Sequence, residues 1–153
     1  MRYITICLLT LVVVVACSKD TVETKPSIKL NKVNSTEIPL GGALNIDLDF
    51  TDKEGDLQSI FIQKVRINKK TVATIRDSFT LNVADFPKED HGTLQINLDY
   101  QNQLISAQAP PSQSTSPTGF EPDSLVIRMA LKDKADHVSD TITTETIIVQ
   151  RKN

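Results

Sequence analysis

From residue 28 onward, apolar and polar side chains alternate along the chain with a period of two. The pattern is sharpest at 44–50, where Leu44, Ile46, Leu48 and Phe50 fall on one side and Asn45, Asp47 and Asp49 on the other. Successive side chains of a strand point to opposite faces, so this register makes one dry face and one wet face. The same alternation returns at 125–131, with Leu125, Ile127, Met129 and Leu131 set against Val126, Arg128 and Ala130. Further strands are predicted at 28–33, 59–67, 78–83, 94–100 and 143–149. Turn residues separate them: Pro39-Leu-Gly-Gly42, Asp52-Lys-Glu-Gly-Asp56 and Phe86-Pro-Lys-Glu-Asp-His-Gly92. No segment sustains a helical period.

About seven short strands with frequent punctuation predict an all-β domain over 28–153, an antiparallel β-sandwich of immunoglobulin or fibronectin type III character. A small closed barrel is the competing arrangement. Trp is absent and no cysteine lies beyond residue 17, which excludes the disulfide-bonded antibody version. The irregular part is an insertion at 101–123, carrying Pro110, Pro111, Pro117 and Pro122 among Ser, Thr and Gln. Its composition reads as a mobile surface loop, because it has little apolar surface to bury. The alternative is a binding loop, for which Tyr100 and Phe120 are the natural anchors.

The N-terminus has a different pattern. One base, Arg2, precedes an uncharged apolar run from Ile4 to Val15, and the run ends at Ala16-Cys17. A run of about a dozen residues is too short for the roughly 20 that span a bilayer, and it has the shape of a cleavable signal. Val14-Val15-Ala16-Cys17 resembles the lipobox of bacterial lipoproteins. That resemblance implies a signal peptide at 1–16, cleavage before Cys17, and acyl chains (diacylglyceryl and amide-linked, of the palmitate type) on Cys17. Two or more chains anchor stably where one holds only marginally. Residues 17–27 then form the lipidated cysteine and a polar tether, in which Lys19-Asp20 resembles the export signal of some Bacteroidetes-type surface lipoproteins. The implied location is the cell envelope, on the outer membrane.

Cys7 and Cys17 are the only cysteines, so the mature domain has no thiol for a disulfide, a nucleophile or a zinc site. Without residues 1–16 the chain carries 16 Lys plus Arg against 19 Asp plus Glu, a formal charge of −3. No basic stripe with interleaved aromatics exists, so nucleic acid is not an expected partner. His91 and His137 sit singly in polar loops, and no glycine-rich phosphate loop is present. An enzyme is not expected from these residues.

One constellation points to cation chemistry. Asp52, Glu54 and Asp56 surround Gly55 immediately after the best strand. In a sandwich, the loop after that strand shares a pole with the loop after 125–131, which brings Asp133 and Asp136 towards them. Calcium takes six to eight oxygens, and a tight acidic turn gathers several of them. Asp and Gly are also what a plain β-turn selects, so local turn chemistry explains the run with no further assumption. The spacing is not that of an EF-hand and is similar to the acidic turns of cadherin-like bacterial sandwich modules.

Together with the lipobox, the 50–57 turn and the Leu131-Lys-Asp-Lys-Ala-Asp-His-Val-Ser139 segment resemble small immunoglobulin-like lipoproteins of Bacteroidetes-type envelopes. That family carries no single activity. The expected function is a lipid-anchored, non-enzymatic binding or structural module for a protein or polysaccharide partner, one end of which a calcium ion could stiffen. The alternative is a glycan-binding accessory lipoprotein of an outer-membrane uptake system, which would need exposed aromatic platforms.

Overall fold

A computed structural model describes residues 24–68, 76–84 and 88–152. The signal at 1–16, Cys17, Lys19-Asp20, nearly all of the tether and Phe86 lie outside the described residues. Nine strands occur among the described residues: β1 Ser27–Val33, β2 Glu37–Ile38, β3 Ala43–Thr51, β4 Leu57–Arg66, β5 Arg76–Asn82, β6 His91–Asp99, β7 Asp123–Asp133, β8 Ile142–Thr143 and β9 Ile147–Val149. They form two sheets, one in the order β1-β3-β6 and one in the order β2-β9-β7-β4-β5, with β8 also on β7. Among the described residues, helical structure is confined to one π-helical turn, Tyr100–Leu104, closed by the Ile105 N–H on the Tyr100 carbonyl at 3.1 Å. Among the described residues no helix is long and apolar enough to cross a membrane.

Alternation dictates what is buried. Leu44, Ile46, Leu48 and Phe50 of β3 join Ile96 and Leu98 of β6, and from the other sheet Ile60, Ile62, Leu125, Ile127, Met129, Leu131, Ile147 and Val149, in one apolar core. Burying each such side chain contributes on the order of 1.5–3 kcal/mol. The opposite face of β3 carries a polar ladder instead. Asp49 accepts from Asn31 Nδ2 and Thr93 Oγ1 at 2.9 Å each, and Asn45 Oδ1 accepts from Asn97 Nδ2 at 2.6 Å.

Two details correct the sequence reading. The larger sheet is mixed rather than antiparallel throughout, because β2 runs parallel to β9. Chain switching makes this pair: Asn34 bonds both Ala43 and Asn45 of β3, and the chain then crosses to the other sheet. The strand expected at 143–149 is two short strands, broken where buried Thr144 turns its hydroxyl inward to accept the Ile127 N–H at 3.0 Å. Polar bonds run through the insertion at 101–123. Ser112 bridges Phe120, and the Ser106 N–H donates to the Asp123 carboxylate at 3.0 Å.

Candidate metal centre

The inward face of β7 begins and ends with a carboxylate. Asp123 and Asp133 flank the row Leu125, Ile127, Met129 and Leu131, and both are buried. Their surroundings differ in sign.

At the Asp123 end, two arginines supply the countercharge. Arg66 Nη2 stands 2.8 Å from Asp123 Oδ1, and Arg151 Nη1 contacts Asp123 Oδ2. Arg151 Nη2 also donates to the carbonyls of Ser106 (3.0 Å) and Gln108 (2.9 Å), and Arg66 Nε donates to Asn68 Oδ1 at 2.8 Å. Sequence reading passed over this network. The signal was present in β4, where Lys64 and Arg66 continue the face of Ile60 and Ile62 and so had to point inward.

At the Asp133 end, the neighbours are acids. β3 ends at Thr51, and the following turn is closed by the Gly55 N–H on the Asp52 carbonyl at 3.0 Å and the Asp56 N–H on Asp52 Oδ2 at 2.9 Å. Gly55 has φ +59°, and a Cβ there would lie 2.8 Å from the Glu89 nitrogen. The turn therefore packs directly on the loop before β6, to which the Asp52 N–H also bonds at Asp90 O (2.7 Å). From the other sheet, the Lys134 N–H reaches the Asp56 carbonyl at 3.1 Å. These bonds bring one carboxylate oxygen from each of Asp52, Asp56 and Asp133 within 4.8 Å of one another.

That separation suits one hard cation. Calcium–oxygen distances of about 2.3–2.6 Å allow two ligands of the same ion to stand up to about 5 Å apart. Asp52 Oδ1 and Asp56 Oδ1 are buried and have no hydrogen-bond partner among the described residues, and Asp52 as a whole is 1% exposed. Burial holds the Asp52 carboxyl above its ordinary value, the Asp56 N–H opposes this, and the charges of Asp56, Glu54 and Asp133 push it further up. Asp133 accepts from the His137 N–H at 2.8 Å and lies 2.9 Å from His137 Nδ1. A buried, unpaired oxygen is costly, and coordination of a cation relieves both the desolvation and the repulsion.

Of the five acids expected here, the structure gathers Asp52, Asp56 and Asp133. Glu54 is exposed and faces a surface depression lined by Lys53, Lys88, Glu89, Asp90 and His91. Asp136 is exposed too, because its left-handed backbone (φ 70°) directs it outward to an ion pair with Lys132 at 2.5 Å. Tyr100, expected as a surface anchor, is instead buried, with its hydroxyl donating to the Gln150 carbonyl at 2.6 Å. As the first residue of the π-turn, it is directed inward rather than onto the loop surface. Phe120 is half-buried beside Ser112.

No protein-family model matches the sequence, and no curated protein matches it. Among solved structures, the chain is similar to a β-glucosidase from Listeria innocua in complex with isofagomine, at 14% identity and a TM-score of 0.45, covering 84% of this chain and 16% of that one. It is likewise similar to a β-glucosidase from Erythrobacter marinus at 12% identity and a TM-score of 0.43, over 83% of this chain and 16% of that one. The sporulation control protein Spo0M from Bacillus subtilis gives 13% identity and a TM-score of 0.39, over 83% of this chain and 50% of that one. The chain thus spans about a sixth of the glucosidases it resembles. Likeness at this level carries no functional inference.

Proposed function

We propose that this chain is a non-enzymatic cell-envelope module: an immunoglobulin-like β-sandwich, held to the outer membrane through acyl chains on Cys17, whose loops meet a protein or polysaccharide partner and whose Asp133 pole is closed by calcium. The observation that carries the calcium reading is the pair of buried oxygens on Asp52 and Asp56, beside Asp133, that have no hydrogen-bond partner among the described residues. The strand order supports the sandwich reading. β1, β3 and β6 occupy the positions of strands A, B and E, and β4, β7 and β9 those of C, F and G.

A calcium ion there would join three connections: the β3–β4 turn, the β7–β8 loop and, through Asp52 and Gly55, the loop before β6. Loops that meet a partner work better when stiff, because less ordering remains to be done on binding. The glycan-binding alternative gains no support from the surface, since Phe61 is the one large aromatic that stands exposed among the described residues.

Thermal unfolding with and without calcium tests the site. Extracellular calcium modules bind at about 10⁻⁴–10⁻³ M, so ~20 Kd of calcium stabilises the folded state by about 2 kcal/mol. That corresponds to a rise in Tm of roughly 5 °C or more, reversed by chelation. An unchanged Tm at millimolar calcium removes calcium from the proposal. Mass spectrometry of protein from its native host tests the anchor separately: an unmodified Cys17 thiol, or retained residues 1–16, removes it.

A further inference from the structure

The three-stranded sheet ends in a strand whose outer edge has no partner among the described residues. β6 pairs with β3 over an unbroken register from Ala43–Asp99 to Thr51–His91. The direction of its backbone groups follows from one bond. Asp52 donates its N–H to Asp90 O, one step past the Thr51–His91 pair. Hydrogen-bonded pairs alternate along an antiparallel ladder, so Gly92, Leu94, Ile96 and Leu98 direct their N–H and C=O groups to β3. His91, Thr93, Gln95, Asn97 and Asp99 direct theirs away. The Asp99 N–H agrees with this assignment, because it meets Gln103 Oε1 at 2.8 Å instead of β3.

Exposed edges are ordinarily defended by bulges, lysines or proline. The opposite edge of this sheet is defended: β1 carries a bulge between Leu30 and Lys32, with Lys29 beside it. β6 has none of these devices in His-Gly-Thr-Leu-Gln-Ile-Asn-Leu-Asp. It is also complementary to itself. Rotation by a two-fold axis through Gln95 places Gln95 opposite Gln95, Thr93 opposite Asn97, and the only titratable pair, His91 and Asp99, opposite each other. Across this axis the odd-numbered residues from Thr93 to Asn97, whose backbone groups point to the edge, form the hydrogen-bonded pairs. On the inward side, half-buried Leu94 would face Ile96 of the other copy.

We propose that β6 is a homodimerisation edge, joining two copies of this chain by antiparallel β6–β6 pairing centred on Gln95 into one continuous six-stranded sheet. The interface is isologous, as a two-fold axis requires. No like charges oppose one another in this register, and every edge-facing residue from Thr93 to Asn97 gains a ladder partner.

Disulfide trapping of the full chain tests the register. Gln95→Cys places two thiols on opposing residues of a hydrogen-bonded pair, whose Cα atoms stand about 5.5 Å apart, within disulfide reach. Under mild oxidation, Q95C is expected to form covalent dimers at least about tenfold faster than Lys29→Cys on the defended edge, because pairing holds the sulfurs at high effective concentration. In detergent, wild-type protein should sediment as a concentration-dependent dimer, and Gln95→Lys, which sets two like charges face to face, as a monomer that still unfolds cooperatively and whose Tm no longer depends on concentration. A monomeric wild type, equal trapping of the Gln95→Cys and Lys29→Cys variants, or trapping of Cys-substituted position 95 to a different polypeptide would each overturn the proposal.

Discussion

Asp123 and Asp133 occupy the two ends of one inward-facing row on β7, at 1% and 2% exposure, and meet opposite partners. Asp123 is held between Arg66 and Arg151, whereas Asp133 lies with Asp52 and Asp56. One pole carries its own cations, and the other gathers acids, of which Asp52 Oδ1 and Asp56 Oδ1 have no hydrogen-bond partner among the described residues. His137 contacts Asp133 and occupies one side of that carboxylate.

The arginine pole makes a prediction about stability. Replacing Asp123 with Ala leaves Arg66 and Arg151 buried without their shared countercharge, and breaking a buried pair from one side costs about 3–5 kcal/mol. Denaturant unfolding should show the midpoint falling accordingly. The insertion should loosen at the same time, seen as faster amide exchange at Ser106, whose N–H Asp123 accepts.

The acidic pole makes the opposite one. Asp52→Asn keeps an oxygen for the Asp56 N–H and removes a charge from a crowded cluster. In chelator this variant should unfold at or above the wild-type Tm, and it should lose the calcium-dependent rise. Asp136→Asn should keep that rise, because Asp136 stands apart from the three gathered carboxylates.

Gly55 and Gly119 both adopt positive φ, at 59° and 78°, but only Gly55 meets backbone where a Cβ would stand. Gly119→Ala should cost about 1 kcal/mol of left-handed strain. Gly55→Ala should cost more, since the turn must also move off Glu89, and chemical denaturation of the two variants side by side measures the difference.

Tyr100 gives a pH dependence. Burial raises its phenol above the ordinary value of 10.0, the nearby Arg151 opposes this, and Asp123 adds to it. For an acid with a raised folded-state value, stability is full below the unfolded value and falls as pH rises through the folded one. In the full chain carrying Tyr3→Phe, the remaining tyrosine should ionise above pH 10 together with unfolding. In denaturant, its tyrosinate absorbance should appear at the ordinary value.

Much of the fold was legible because β3 and β7 are long and strictly alternating, so each announces both its existence and its buried face. β2, β8 and β9 were illegible as separate elements, since strands of two or three residues hold no period and owe their positions to their neighbours, β8 and β9 to β7 and β2 to β9. The acidic site was legible in part. Asp52, Asp56 and Asp133 follow from placing the turn after β3 and the loop after β7 at one end, but Glu54 and Asp136 differ from them only in where their side chains point, which is set by turn geometry. The Arg66–Asp123–Arg151 network joins residues far apart in the chain, and alternation alone indicates that Arg66 and Asp123 face inward without naming their partners.

Equilibrium dialysis against labelled calcium, comparing the wild-type chain with Asp52→Asn, addresses the acidic pole most directly. One saturable calcium per wild-type chain, lost in the variant while its fold is retained, is the expected result. No saturable uptake by the wild type, or equal uptake by both proteins, would contradict it.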